Sequence, residues 1–479
     1  MAPETSLTTL PSIFEAYFPN TSLPAQDTIP RWSELGVSHP AVVAVPRNEE
    51  EIITALRFAA ENGLKVIPVG GAYSPFIPIG SQIMYLEMKR FKGISIHGAS
   101  ITVGGGTTNK EVIEACTVEG CYTFTGNSNA IGMIGFLLGG GLATFNGLHG
   151  IAVDHILSLR IITASGRALT LTPASTEAEG DLFSALCGAG HGLAVVVSAT
   201  LPVYRFSRLH MSPSPPDDEV WVCKVMFPGS AVASAARAFL TLHDHPAPAM
   251  SARMLFMRAP PSAPSPGSPM ILVAATYFGA SAEAEKHAAV LFDETVVSTA
   301  VSTNTSRVPF ARLNDDVEPM NTRGNLKQLA NAMVRSLTSA SIRDTFSMWL
   351  RFGEDTPDAR ARSVVLWVSW DPAKMLADGL EARHTRPFFP PKDRRAFVQT
   401  WTWYTALATR EAADEFASRV LSTVRAQDVV EGVAPLTFAN NQRLGGGVGE
   451  VYTLEEIESL KRVKETWDKH GLFWSPIVD

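Results

Sequence analysis

Apolar and polar positions near the start of the chain change period twice within about thirty residues. Residues 41–45 form a short run of alanine and valine that Pro46 ends; Asn48 can then cap a helix, with Glu51 at the capping-box position. Ile52, Leu56 and Ala59 or Ala60 hold helical spacing up to Gly63, and residues 65–69 return to an extended pattern. The spacing predicts a β-α-β opening. Further extended runs cover 83–86, 94–96 and 101–103, followed by a helix from Thr108, boxed by Glu111, to about Val118. Residues 156–163 and 168–171 flank Ser165-Gly166, a hairpin turn, and 193–201 reads as a buried strand. Strands and helices alternate without a strict repeat, which favours an α+β arrangement over a doubly wound one.

The pattern changes after about residue 205. Ser212-Pro213-Ser214-Pro215-Pro216 reads as a linker, and a second set of strands is expected at 220–227, 253–257, 271–278 and 364–370. Helices near 231–242, 281–292 and 410–425 would cover them. Residues 259–269, APPSAPSPGSP, read as a mobile loop. In the last segment a helix over 454–464 sets Ile457, Leu460 and Val463 on one face. The expected division is 1–205, 206–440 as a cap of antiparallel strands covered by helices, and 441–479.

With 479 residues and 46% hydrophobic content the chain can bury a large core, in two or three domains at ~100–200 residues each. Its net charge of −7 comes without long basic runs, so it carries no electrostatic footprint for nucleic acid or an anionic membrane. A small molecule is the expected partner; oligomeric state is not legible. The opening residues hold no basic segment followed by a continuous apolar one, and no later run approaches the ~18 apolar residues of a membrane span. The expectation is a soluble, cytoplasmic protein. Cys116, Cys121, Cys187 and Cys223 fall in no metal-like or redox spacing and read as small buried hydrophobes, and no metal site is expected.

Candidate chemistry lies in the glycines. A missing Cβ lets backbone N–H groups converge on an anion, and glycine alone takes positive φ freely. Gly70-Gly71, Gly126, Gly132, Gly135 and Gly139-Gly140-Gly141 offer such positions twice over, whereas Gly104-Gly105-Gly106 reads as a tight turn. A Rossmann site would need G-x-G-x-x-G between a first strand and its helix, and no stretch fits that context.

Residues 126–154, GNSNAIGMIGFLLGGGLATFNGLHGIAVD, resemble the phosphate-binding stretch of berberine bridge enzyme-like flavoproteins, of the vanillyl-alcohol oxidase superfamily. PVGGAYS resembles the family's first loop, and HGIAVDHILSLRIITASGR, DLFSALCGAGHGLAVVVSATL and the tail LKRVKETWDKHGLF follow in family order. The resemblance implies a PCMH-type, two-subdomain FAD-binding fold with an α+β substrate cap. It implies FAD contacts at Val69, Gly70, Gly71, Ala72, Tyr73 and Ser74 in the first loop and at Gly126, Asn127, Ser128, Ile131, Gly132, Gly135, Gly139 and Gly140 in the second. Gly188, Gly190 and Val195 complete the set.

The departures are as informative. The family's first loop usually supplies a histidine that bonds to the flavin 8-methyl carbon, and Ala72 stands there; its second tether, a cysteine, is Ser128. FAD is therefore expected to be held non-covalently. Gly192 replaces a usual asparagine, and Glu456 is read at the asparagine of a C-terminal tyrosine-x-asparagine motif near the flavin ring.

Acid–base candidates must come from the cap. On a strand, Trp401 and Trp403 would share one face and Thr402 and Tyr404 the other; Tyr404 is the phenol of choice, beside Glu456. His149, His155 and His384 read as structural, and Asp154 as an organiser of backbone amides. The expected activity is an FAD-dependent oxidoreductase acting on a small hydrophobic natural product of secondary metabolism. The alternative is a redox-neutral isomerase, dehydratase or cyclase in which Glu456 or Tyr404 donates a proton. A non-catalytic binding protein is a third class.

Overall fold

The computed structural model describes residues 14–212, 217–380, 388 and 393–479. The expected β-α-β opening is present. Val42–Ala44 and Lys65–Val69 flank Ile83–Glu87 in parallel, and Ala16–Tyr17 adds an antiparallel edge. Helix Glu49–Glu61 starts where Asn48 Oδ1 accepts from the Glu51 amide at 2.9 Å; the Glu51 carboxylate reaches back to the Arg47 amide, also at 2.9 Å. Its stripe Ile52, Ala55, Leu56 and Ala59 is buried with Val42, Val66 and Leu86.

A second, antiparallel sheet follows in the order Ile94–His97, Ser100–Gly104, Val195–Pro202, Ser158–Ile162, Ala168–Leu171. Its last hairpin turns at Gly166, with φ 80°. Helix Asn109–Val118 begins at the expected Thr108–Glu111 capping box. The α+β class is borne out, with parallel and antiparallel sheets side by side.

The cap is one seven-stranded antiparallel sheet, in the order Ser302–Pro309, Glu219–Pro228, Pro269–Tyr277, Met250–Arg258, Val364–Ser369, Ala396–Tyr404, Leu326–Val334. Helices Val232–Asp244, Ser339–Asp355 and Arg410–Val430 pack with one face of it around Trp349, Trp367, Phe256 and Phe416. The other face turns to the glycine loops. The helix expected over 281–292 ends as α-helix at Ser281–His287 and continues as a 3₁₀ turn, Ala289–Phe292. Residues 259–268 close a hairpin, with the Ala259 amide donating to Ser268 O at 2.9 Å. The linker expected at 213–216 lies outside the described residues.

Helix Leu454–Trp467 packs on helix Glu177–Ala189, and the chain beyond it bridges Phe473 to Val66 of the parallel sheet. A buried ion pair fixes this return: Lys464 Nζ bonds Asp468 Oδ2 at 2.6 Å, Phe473 O at 2.7 Å and Gly192 O at 2.8 Å. All four cysteines are buried and free of disulfides. Among the described residues no helix is long and apolar enough to cross a membrane, and no cluster of side chains could hold a metal ion.

Candidate functional site

A cavity of about 340 Å³ lies between the glycine loops and the inner face of the cap sheet. Its floor is residues 69–74 together with Gly126, Asn127, Ser128, Ile131, Gly132 and Gly135. The loops touch back to back. A Cβ on Gly71 would stand 2.4 Å from the Gly132 nitrogen, and one on Gly132 would stand 2.5 Å from that of Gly71. Both positions therefore exclude side chains.

Three observations make this floor fit a dinucleotide. The backbone amides of residues 70–74, and of Gly126, Asn127, Ser128, Ile131 and Gly132, donate to no acceptor among the described residues. Polar groups left so in a concave surface call for a ligand acceptor, and converging amides suit a diphosphate. A Cβ on Gly135 would meet no protein atom within 4 Å, so the space it would fill belongs to the cavity. Finally, Arg31, which donates to Ser74 O at 2.7 Å, sets a positive charge beside the first loop. Val69, Gly70 and Gly71, with Ala72, Tyr73 and Ser74, thus line the cavity floor, as do the second-loop residues Gly126, Asn127, Ser128, Ile131, Gly132 and Gly135.

The two positions aligned with flavin tethers are fixed differently. Ala72 keeps a left-handed backbone, φ 54°, a conformation that costs a non-glycine residue roughly 1 kcal/mol. Its carbonyl accepts from the Trp32 amide at 3.0 Å, and the Trp32 ring stacks on Tyr73 at 4.8 Å. The Tyr73 hydroxyl pairs with Ser128, and burial pushes its pKa up. Ser128 Oγ donates in turn to Asn321 Oδ1 at 2.7 Å, so the cap segment holds the second loop. Asn314 Nδ2 reinforces this clasp by donating to Gly126 O at 3.0 Å.

Gly139, Gly140, Gly188, Gly190 and Val195 do not line the cavity. Gly139 is required because Asn440 occupies its Cβ space, at 2.0 Å from Oδ1. Gly140 and Gly188 take φ of 118° and 115°, and Gly190 packs on Leu138 and Leu186. Val195 sits in the core of the β-α-β unit. These residues pack behind the cavity walls. Gly104 and Gly106 close tight approaches to Phe91 and Met88, as expected, while Gly105 also reaches the cavity.

The two acid–base candidates are corrected outright. Tyr404 points to the helix-covered side of the cap sheet, fully buried, and its hydroxyl has no partner among the described residues. The alternation was right, but the cavity faces the Trp401 side, where Phe397 and Gln399 also point. Glu456 closes the cap of the last helix, its Oε2 accepting from the Thr453 amide at 2.7 Å. An asparagine that does reach the cavity stands sixteen residues before Glu456, in Phe438-Ala439-Asn440, where Phe438 lines it too.

Asn440 brings with it a group that sequence reasoning overlooked. His191 Nε2 lies 2.9 Å from Asn440 Oδ1, and Asn440 Nδ2 donates to Phe136 O at 2.9 Å. A carbonyl can only accept, so Oδ1 faces the imidazole, Nε2 carries the proton and Nδ1 keeps its lone pair. Burial lowers the His191 pKa, which keeps the ring neutral. The signal was present as a lone histidine between glycines in GAGHGL. Gly192, with φ 83°, has its Cβ space taken by Trp474 O at 2.0 Å, which excludes the family's asparagine there. His149 and His155 lie outside the cavity lining; His149 donates to or accepts from Tyr122 Oη at 2.7 Å, and burial lowers its pKa to about 4. His384 lies outside the described residues.

Fold and floor together define an FAD-binding flavoprotein of PCMH type. Residues 40–172 match the family model described as FAD binding domain. The chain is 26% identical to FAD-linked oxidoreductase hasG of Aspergillus fumigatus over 455 residues, covering 93% of each chain. In fold it is similar to BBE-like 1 of Physcomitrella patens, with TM-score 0.77, 15% identity and 97% and 96% of the two chains covered. Glucooligosaccharide oxidase from Acremonium strictum, whose FAD is 6-S-cysteinyl and 8α-N1-histidyl, superimposes with TM-score 0.72 at 16% identity, covering 96% of each chain. The chain thus carries an FAD-binding domain, is similar along nearly its whole length to an FAD-linked oxidoreductase, and shares its fold with BBE-like and VAO-type flavoproteins. It is a flavin-dependent oxidoreductase.

Proposed function

We propose that the protein oxidises a small, largely apolar natural product of secondary metabolism, with FAD held by contacts alone. The observation that carries the non-covalent reading is chemical: an alanine methyl at Ala72 and a hydroxyl at Ser128, already hydrogen-bonded to Asn321, replace the imidazole and thiol that a tether needs. When bound, the flavin supplies the two-electron acceptor.

The residues of this chain do the rest. The unpaired amides of the two loops would hold the diphosphate, and Arg31 would offset part of its charge. The cap face presents Leu255, Leu272, Leu329, Leu366, Phe397 and Trp401, a wall that excludes water from the reacting faces. His191, with its tautomer set by Asn440, offers Nδ1 as the proton acceptor for the bond being oxidised. The redox-neutral alternative relied on Glu456 or Tyr404, and neither side chain reaches the cavity.

The test is spectroscopic. The purified protein should show flavin absorption bands, and a substrate should bleach them under anaerobic conditions with recovery on admitting oxygen. Turnover of a substrate without any bleaching would support the redox-neutral reading instead.

A further inference from the structure

The strand registers of the cap set two cations in one row across the cavity face. Lys224 and Arg253 both pair with Ala274 from opposite sides, and Arg253 pairs onward with Val368; all four line the cavity. At about 4.8 Å per strand, the two basic residues are about 10 Å apart along the row. On one side of Arg253 the next row on the same face holds the hydroxyls of Ser251 and Thr276, which pair with each other. On the other side it holds Leu272, Leu255 and Leu366.

The charges of this face do not cancel. Asp316 is the sole carboxylate among the residues lining the cavity, and it is paired with Lys224 at the solvent side, its side chain 57% exposed. Arg253 makes no ion pair among the described residues; its polar contact is Nη2 to Thr276 Oγ1 at 3.5 Å. Burial pulls the Arg253 pKa down and Asp316 pushes back, yet a guanidinium keeps its proton in a protein. The third basic lining residue, Arg31, is bound to Ser74 O on the opposite floor. One positive charge is therefore left over in the cap wall, desolvated, forked, and bordered by hydroxyls and by leucines.

We propose that Arg253 is the specificity-determining residue that receives a carboxylate on an otherwise apolar substrate. The carboxylate takes the bidentate edge of the guanidinium, Ser251 and Thr276 donate to its remaining lone pairs, and the leucine row supports the apolar body. This deepens the oxidoreductase reading and rests on the cavity being its substrate site. It also narrows that reading, because a neutral hydrophobe would leave the guanidinium unpaired in the complex.

Calorimetric titration of the purified protein with naphthalene-2-carboxylate and with its neutral isostere naphthalene-2-carboxamide tests the assignment. The acid should bind at least about tenfold tighter than the amide. Arg253→Met should abolish that preference while leaving the amide's affinity within about threefold, and Arg253→Lys should keep part of it. Met fills the same space without stranding a buried partner, and circular dichroism of the variants confirms the fold. Equal affinity for acid and amide, no binding of the acid at millimolar concentration, or an undiminished preference in Arg253→Met overturns the proposal. The heat signal does not depend on flavin, so a colourless protein that retains the preference sinks the oxidoreductase reading alone, and a yellow protein without it sinks this one alone.

Discussion

Asn440 accepts the Nε2 proton of His191 at 2.9 Å across 249 residues of sequence, and its own amide is oriented by Phe136 O. This fixes the imidazole, which lines the cavity, as the Nε2–H tautomer with its lone pair on Nδ1. Because burial lowers its pKa, protonation should disable it only below the ordinary imidazole value of about 6.5. The rate of flavin reduction should be flat above that pH and fall toward acid. His191→Gln should lower it by about 10²-fold or more and remove the acid limb, with flavin content unchanged. Stopped-flow reduction across pH checks this; an unaltered limb in the variant would assign it to another group.

Gly135 and Gly71 separate cofactor binding from folding. Gly135→Val projects into space that no protein atom occupies, so thermal stability without flavin should match the parent while bound FAD is lost. Gly71→Ala drives a methyl into the Gly132 backbone and should destabilise the fold itself, by about 1–3 kcal/mol or more. Melting curves with and without added FAD give both results. Full flavin content in Gly135→Val would show that the dinucleotide lies elsewhere.

Ala72 retains the left-handed backbone of the loop without a tethering side chain. Ala72→His should place an imidazole at the cavity floor and produce a fraction of protein whose flavin survives denaturation in acid, read by mass spectrometry. Ser128→Cys should do so less well, since Asn321 already holds that position. No covalent flavin in either variant would mean that the ring lies away from both.

Tyr404→Phe and Glu456→Gln should leave kcat within about twofold. The Tyr404 hydroxyl is buried without a partner among the described residues, so its removal should be neutral or mildly stabilising. The loss of one carboxylate oxygen from the Glu456 cap should cost about 0.5–1 kcal/mol. A large fall in kcat for either would restore it to the mechanism.

Local features were legible and long-range ones were not. The Asn48 cap, the Thr108–Glu111 box and the Gly166 hairpin are written in short spacings, and so are the glycines that bring the two loops together. The strand Ser302–Pro309 escaped notice because, as an exposed edge paired only with Glu219–Pro228, it has no apolar alternation to show. Leu326–Val334 was hidden by Lys327, Gln328 and Asn331, polar yet buried. Lys327 is accommodated because the Trp32 carbonyl accepts from its ammonium at 2.9 Å and the Trp403 ring lies 4.1 Å away. Gly139 looked like a phosphate contact, but its partner Asn440 is some 300 residues distant in the chain. Which face of the Trp401 strand meets the cavity depended on where the helices pack, and periodicity alone does not choose between two faces.

The most direct measurement is acid precipitation of the purified yellow protein, with chromatography of the supernatant. Grip by main-chain amides without a bond at Ala72 or Ser128 predicts a colourless pellet and intact FAD in solution, in about one equivalent per chain. Flavin retained in the pellet, or a protein that carries none and binds none on addition of FAD, would contradict it.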